Sequence, residues 1–324
     1  MKLFLTEKQS PGDILMMTAA VRDLKRSHPE YQINCKTSAQ ELWENNPYLD
    51  LSVTEQNADR VIQCHYPLIH TSTQGCHHFI HGFRRFLEEQ LGVSITPGNF
   101  CVDVHLSEKE KHDPYIMDIV GDKPFWIIDA GGKRDFTCKW WEFDRFQQVV
   151  DETAGEVRWV QIGAAEHQHK PLRGVINMLG KTTHRQFLSL MYRASGVLTP
   201  VSYPMHLATM QWFNHSDDEH RPCVVIAGSR EPAVWEAYTC HRYLHNCGML
   251  DCSRRGACWR SRVEPLPDGS RQNASICVHP VMTSSGQRIP YCLDLITVQD
   301  VVDSVRMYLY NGERTRPSNF ILRQ

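Results

Sequence analysis

The sequence predicts an α/β protein of two Rossmann-like halves facing one another across a cleft. Three observations carry this: a strand–turn–helix–strand unit at the N-terminus, a second series of the same kind from Phe125, and a strand-to-helix junction at Gly196–Gln211. In the first unit Lys2–Leu5 reads as a short strand and Ser10-Pro-Gly-Asp13 as its turn. The helix Ile14–Arg26 follows, with Ile14, Met17, Ala20, Val21 and Leu24 on one apolar stripe, and Tyr31–Cys35 is the next strand. The first loop of a βαβ unit lies at the carboxyl edge of a parallel sheet, where ligands bind. Asp13 stands in that loop.

In the second series Phe125–Asp129 is a strand, Ala130–Lys139 its Gly-containing loop, and a helix begins near Glu142. Val157–Ile162 and Val175–Leu179 are further strands. The helix Arg185–Arg193 leads to the buried strand Gly196–Thr199, and Val224–Gly228 closes the set. After Gly196–Thr199 a Pro-containing turn opens a helix near Pro204, with Met205 and His206 in its first turn. Free N–H groups and the positive dipole end at such a junction favour anions. From Thr297, Val298, Val301, Val302, Val305 and Tyr308 mark an amphipathic terminal helix. The run Ser107–Asp122 is charged and reads as a loop, which sets the domain boundary near 115–122. Residues 1–120 then form the N-terminal half and residues 121–296 the C-terminal half, with a cysteine-rich insertion at 240–292. A terminal helix and tail occupy 297–324.

The 324 residues are enough for two cores, and 41% apolar with 22% charged residues is ordinary globular composition. A net charge of −2 supplies no basic stripe, so no nucleic-acid partner is expected. No window approaches 18 apolar residues, so no transmembrane segment is expected, and Met1–Lys8 is too short and charged for a signal peptide. A cytoplasmic protein with reduced thiols is the expectation. The two Asn-x-Ser sequons, at Asn214 and Asn273, carry no weight without secretion.

Several motifs invite chemistry. Gly180-Lys-Thr182 suggests a phosphate loop, but the glycine required five residues earlier is Val175, so that reading is rejected. Cys64–His81 holds five histidines and two cysteines in no standard zinc spacing and reads as a polar loop lining a cleft. Asp13 reads either as a helix N-cap or as a general base that deprotonates an attacking hydroxyl, and the two roles are compatible. Lys139, in Thr-Cys-Lys-Trp-Trp, is either a solvated lysine beside core tryptophans or the fixed charge that stabilises a departing diphosphate. The insertion is more specific. Cys252, Cys258, Cys277 and Cys292 lie in a Gly/Pro/Ser-rich stretch that four thiolates on zinc or iron would tie down, with Cys247 and Cys240 in reserve. Scattered buried thiols are the other reading, because no Cys-x2-Cys pair is present.

Taken in order, the pieces resemble glycosyltransferase family 9, the ADP-heptose:lipopolysaccharide heptosyltransferases. The resemblance rests on Gly12-Asp-Ile-Leu-Met-Met-Thr-Ala-Ala-Val-Arg-Asp-Leu-Lys25, Asn45-Asn-Pro-Tyr-Leu-Asp50, Lys139-Trp-Trp-Glu-Phe143, Leu179-Gly-Lys-Thr182, Pro204-Met-His-Leu-Ala208 and Cys292–Val302. It implies a GT-B fold and inverting transfer from a nucleotide-diphosphate sugar donor, with no obligatory catalytic metal. The acceptor would be a hydroxyl of a glycan, lipid-linked glycan or protein. Asp13 matches the catalytic base and Lys139 the phosphate-binding lysine. Gly180 and Lys181, together with Ser202, Met205 and His206, fall in donor-binding segments. The family's Asp-Ser/Thr-Gly-x-x-His reads Val201-Ser-Tyr-Pro-Met-His206 here, so the acid is lost at Val201 and the glycine becomes Tyr203. Arg230 and Glu231, in the place of the family's Gly-x-Thr-x-Pro loop, are candidates to take over donor contacts. The cysteine cluster is similar to the metal-bound cluster of the autotransporter heptosyltransferases, which implies a structural zinc or iron.

Overall fold

A computed structural model describes residues 1–65, 68–75, 77–213, 221–239 and 241–310. Cys240, the Asn214 sequon and the tail beyond 310 lie outside the described residues, as does Cys76 of the His-rich segment.

The N-terminal half builds a three-stranded parallel sheet. β1 (Lys2–Glu7) runs between β2 (Gln32–Thr37) and β3 (Arg60–Gln63), with Leu3 opposite both Ile33 and Arg60. Helix α1 (Pro11–Ser27) crosses between β1 and β2. It starts three residues earlier than its apolar stripe suggests, because Pro11 takes the first turn and Ser10 caps it. Asp13 is therefore the third helical residue rather than the cap itself. It closes a capping box, its Oδ2 accepting from the backbone N–H (2.9 Å) and hydroxyl (2.8 Å) of Ser10. Every residue from Asp13 to Leu24 is buried, so α1 is wrapped on several sides rather than lying on a surface. Helix α2 (Gly82–Leu91) follows a short 3-10 turn at Phe79–His81.

The run expected as a loop folds into two short capped helices. In α3 (Glu108–Lys111) Ser107 caps and Glu110 closes the box, and in α4 (Pro114–Val120) Asp113 caps with Pro114 at the first position. Arg185 grips Glu110 with two hydrogen bonds (2.6 and 2.7 Å), which ties α3 to the C-terminal half.

The C-terminal half opens with β4 (Trp126–Asp129), a two-residue strand β5 (Gly131–Gly132), helix α5 (Phe143–Glu152) and β6 (Trp159–Ile162). Next come β7 (Gln168–His169), β8 (Ile176–Asn177), α6 (His184–Arg193) and β9 (Gly196–Pro200). Then α7 (Tyr203–Leu207), β10 (Cys223–Gly228), α8 (Ala233–Glu236) and β11 (His241–His245) complete the sheet. A small hairpin of β12 (Pro280–Met282) and β13 (Arg288–Pro290) leads to α9 (Tyr291–Asp294) and α10 (Val298–Tyr310). Six strands pair in parallel in the order β11-β10-β9-β4-β6-β8. β4, β9 and β10 are buried at every position, as apolar runs in a doubly covered parallel sheet are. Gly196 is required for packing: a Cβ there would collide with the indole of Trp126. Trp141 and Trp159 are buried, and their indole N–H groups are satisfied by Ile296 O (3.0 Å) and Thr153 Oγ1 (2.9 Å).

Candidate functional site

The chain runs from β4 outward to β6 and β8, then returns to place β9 on the other side of β4. Such a reversal of strand order opens a crevice at the carboxyl ends of the two central strands. Asp129 ends β4 there, and the turn Val201-Ser202 leaves β9. The two are joined: Ser202 Oγ donates to Asp129 Oδ2 (2.8 Å), and Thr199 Oγ1 adds a second bond at 3.3 Å. Burial raises the Asp129 carboxyl above its usual range, only partly offset by His169, Ser202 and Thr199. His169 stands 3.9 Å from Asp129 with a nearly enclosed ring, neither ring nitrogen having a hydrogen-bond partner. Glycine is required at 131 and 163, where a Cβ would run into that ring.

The N-terminal half meets this edge through the start of α1. A Cβ added to Gly12 would lie 3.7 Å from His206 Cδ2, and Tyr238 Oη stands 3.1 Å from Met16 Sδ. The His-rich segment supplies another wall: Phe79 stacks on Trp235 (5.2 Å), and His78 meets Tyr238 edge-on (4.7 Å). The start of α1, which carries Asp13, thus meets His206 of α7 from the other half. Asp13 is 7% exposed.

His206 of α7 is buried, its Nδ1 3.0 Å from Tyr238 Oη and its Nε2 3.5 Å from Glu236 Oε2. Burial, aided by His78, His241 and Lys139, holds its imidazole well below the ordinary range, so it is neutral at pH 7. Glu236 is also enclosed. Burial and the nearby Glu231 raise its carboxyl well above the usual range, which favours its protonated form. Lys139 Nζ pairs with Glu231 Oε1 at 2.9 Å, and Arg230 holds the same carboxylate oxygen. Burial would raise Glu231, but these two cations overcome it and keep the group ionised. The Arg230 guanidinium lies over the rings of Phe136 (4.9 Å) and Trp259 (5.6 Å), and its Nε donates to Arg260 O (2.7 Å).

The structure therefore gathers Asp13, Lys139, His206, Arg230 and Glu231, with Ser202 at the adjoining crevice. Other expected site residues sit elsewhere. Met205 is fully buried in the apolar core. Gly180, at φ +65°, bonds its N–H to Gly163 O (2.8 Å) in the loop after β8. Lys181 turns back on that loop, its Nζ donating to Asn177 O (2.8 Å). Asp129, His169, Glu236 and Tyr238 escape sequence reading. Only Asp129 carried a signal, as the last residue of a parallel strand before a Gly-Gly loop.

Cys252, Cys258, Cys277 and Cys292 line one cavity together with Cys138, His279, Arg230 and Arg260. A hydrogen bond from Cys138 lowers the Cys277 thiol to about 7 against burial, and burial pushes Cys292 up to about 12. Cys138 belongs to the 3-10 segment Arg134–Lys139, which is fastened to the insertion by Cys138 N–H to Ser261 O (3.0 Å), Val263 N–H to Thr137 Oγ1 (2.9 Å) and Arg262 to Asp135 (3.3 Å). Cys247 stands apart, its Sγ 3.3 Å from Glu231 O. Among the described residues no group of three or more His, Cys, Asp or Glu is arranged to hold a metal ion as it stands.

Two α/β halves meeting over the carboxyl edge of the second sheet define the GT-B class of fold. Solved structures bear this out. The chain resembles the glycosyl transferase family 9 protein from Veillonella parvula DSM 2008, with TM-score 0.65, 17% identity, and 96% of this chain and 97% of that one covered. It also resembles E. coli ADP-heptose LPS heptosyltransferase II (0.61, 15%, 97% and 100%). A third likeness is to the iron-containing dodecameric glycosyltransferase TibC of enterotoxigenic E. coli H10407 (0.60, 14%, 96% and 76%), which has also been solved with ADP-D-β-D-heptose. No protein-family model matches the sequence. No curated protein matches it either.

Proposed function

We propose that the protein is an inverting glycosyltransferase that moves a sugar from a nucleotide-diphosphate donor to a hydroxyl of a glycan, lipid-linked glycan or protein. The observation that carries this reading is the meeting of Asp13, from one half, with Lys139, His206, Arg230 and Glu231 from the other. With His206 neutral and the proton of Glu236 favoured by burial, Arg230 and Lys139 against Glu231 leave one net positive charge on the C-terminal side of the cluster, set against the Asp13 carboxylate of the other half. That surplus suits a leaving diphosphate, whose charge grows as the glycosidic bond breaks. Lys139 keeps a quarter of its side chain exposed, so its ammonium can turn from Glu231 to the diphosphate. Asp13 takes the acceptor proton while the acceptor oxygen attacks the anomeric carbon in line. With α7 only five residues long, these side chains rather than a helix dipole do most of the anion binding.

ADP-heptose is one candidate donor, since TibC and the lipopolysaccharide enzyme share this fold, and the loss of the acid at Val201 leaves the sugar open. Calorimetry and product assays with ADP-, GDP-, UDP- and dTDP-sugars test the proposal. Binding with release of nucleoside diphosphate to an acceptor supports it, and no binding of any of the four refutes it. A second reading, a catalytically silent sugar-nucleotide-binding module, is favoured by Val201 and by the Lys139–Glu231 pair. Turnover at any rate decides against it.

No catalytic metal enters this scheme. The soft thiol set around Cys252, Cys258, Cys277 and Cys292 fits a structural zinc or iron, and such an ion would fasten a segment with little core of its own. Elemental analysis of the purified protein is expected to find about one equivalent of zinc or iron, and a value below about half an equivalent refutes the site. No helix among the described residues is long and apolar enough to cross a membrane.

A further inference from the structure

We propose that Glu236 reads the hydroxyl groups of the transferred sugar, standing in for the acid absent at Val201. The inference rests on the glycosyltransferase reading above. Glu231 to Glu236 carries three buried polar atoms without a hydrogen-bond partner: Oε2 of Glu231, indole Nε1 of Trp235 and Oε2 of Glu236. Folded proteins leave few such atoms unsatisfied, and each one costs stability. Here two carboxyl oxygens and one indole N–H fall within six residues beside Asp13, His206 and Lys139. That set matches a polyhydroxylated ligand, because each sugar hydroxyl both donates and accepts.

The neighbours of Glu236 fix the tautomer of His206. Met16 Sδ can only accept, so the Tyr238 hydroxyl donates to it, and Tyr238 Oη then accepts from His206 Nδ1–H. That tautomer leaves a lone pair on His206 Nε2, which faces Glu236 Oε2 at 3.5 Å, too far for a well-formed hydrogen bond. A protonated carboxyl can approach a sugar that carries a diphosphate, whereas a second ionised carboxylate beside Glu231 would repel the leaving group. Val201 itself is buried among apolar residues and offers no polar atom.

The test compares Glu236→Leu, which keeps the volume and removes the polar atoms, with Glu236→Gln, which keeps neutral hydrogen bonding. Probe pairs are ADP with ADP-D-β-D-heptose, GDP with GDP-mannose, UDP with UDP-glucose and dTDP with dTDP-rhamnose, each titrated by calorimetry. The wild type is expected to bind one conjugate more tightly than its parent diphosphate. Glu236→Leu should hold the diphosphate within about twofold yet lose at least about tenfold for the conjugate, as expected when a polar contact is removed. Glu236→Gln should recover most of that loss. Glu236→Met gives the same comparison should the leucine variant not fold. Conjugate affinity unchanged in the leucine or methionine variant overturns the proposal and assigns the orphan atoms to a buried water. If the wild type binds none of the four diphosphates, the glycosyltransferase reading fails and takes this inference with it.

Discussion

Replacing Asp13 by asparagine separates its place at the helix start from its proposed role as base. The carboxylate accepts two hydrogen bonds from Ser10, and its negative charge sits at the N-terminus of a 17-residue helix. Alanine would remove both bonds and cost about 0.5–2 kcal/mol, the usual range for a lost cap. Asparagine keeps an acceptor oxygen and loses only the charge, so the cost should stay below about 1 kcal/mol. For a chain of this size that is a fall in Tm of at most about 1.5 °C. The same change removes the proposed base and should lower turnover by about 10²–10⁴-fold. Release of nucleoside diphosphate in the presence of acceptor measures the second effect, and calorimetry with the donor should give a Kd within about twofold of wild type. Turnover within about fivefold of wild type would show that Asp13 is not the base. Loss of donor binding together with a much larger fall in Tm would make it purely a helix-start residue.

Two further outcomes follow from the packing. Gly196→Ala pushes a methyl group into Trp126 inside the sheet and should cost about 1–3 kcal/mol, read as a lowered urea midpoint. Glu236 binds its proton more tightly folded than unfolded, so wild-type stability should decline as pH rises from the ordinary glutamate value of 4.5 toward the raised folded value. Glu236→Gln lacks that decline, and its Tm advantage should widen between pH 5 and pH 8; a constant difference would contradict the buried, protonated carboxyl.

The parts of the fold legible in the sequence are those with strong apolar runs. β4, β9 and β10 bury every side chain, and α1 announces itself through Ile14, Met17, Val21 and Leu24. β3 reads Arg-Val-Ile-Gln and β11 reads His-Arg-Tyr-Leu-His, too polar to stand out, since both take their place by pairing with a neighbour rather than by their own pattern. Asp113-Pro114 was a start signal for α4 hidden in a charged run. In the site, Asp13, Lys139 and His206 lie within motifs, whereas Glu236 and Tyr238 lie after a turn whose path only the tertiary structure fixes. Cys138 gives no such signal, because it lies over a hundred residues before the insertion whose cavity it shares.

That last residue has a mechanical consequence. Cys138 looks into the thiol cavity, and Lys139, one peptide bond away, grips Glu231 on the other side. Alkylating or crosslinking the sulfur would tug on the same backbone that aims the amine. Sulfur chemistry and the Lys139–Glu231 pair are thus levers on one short axle.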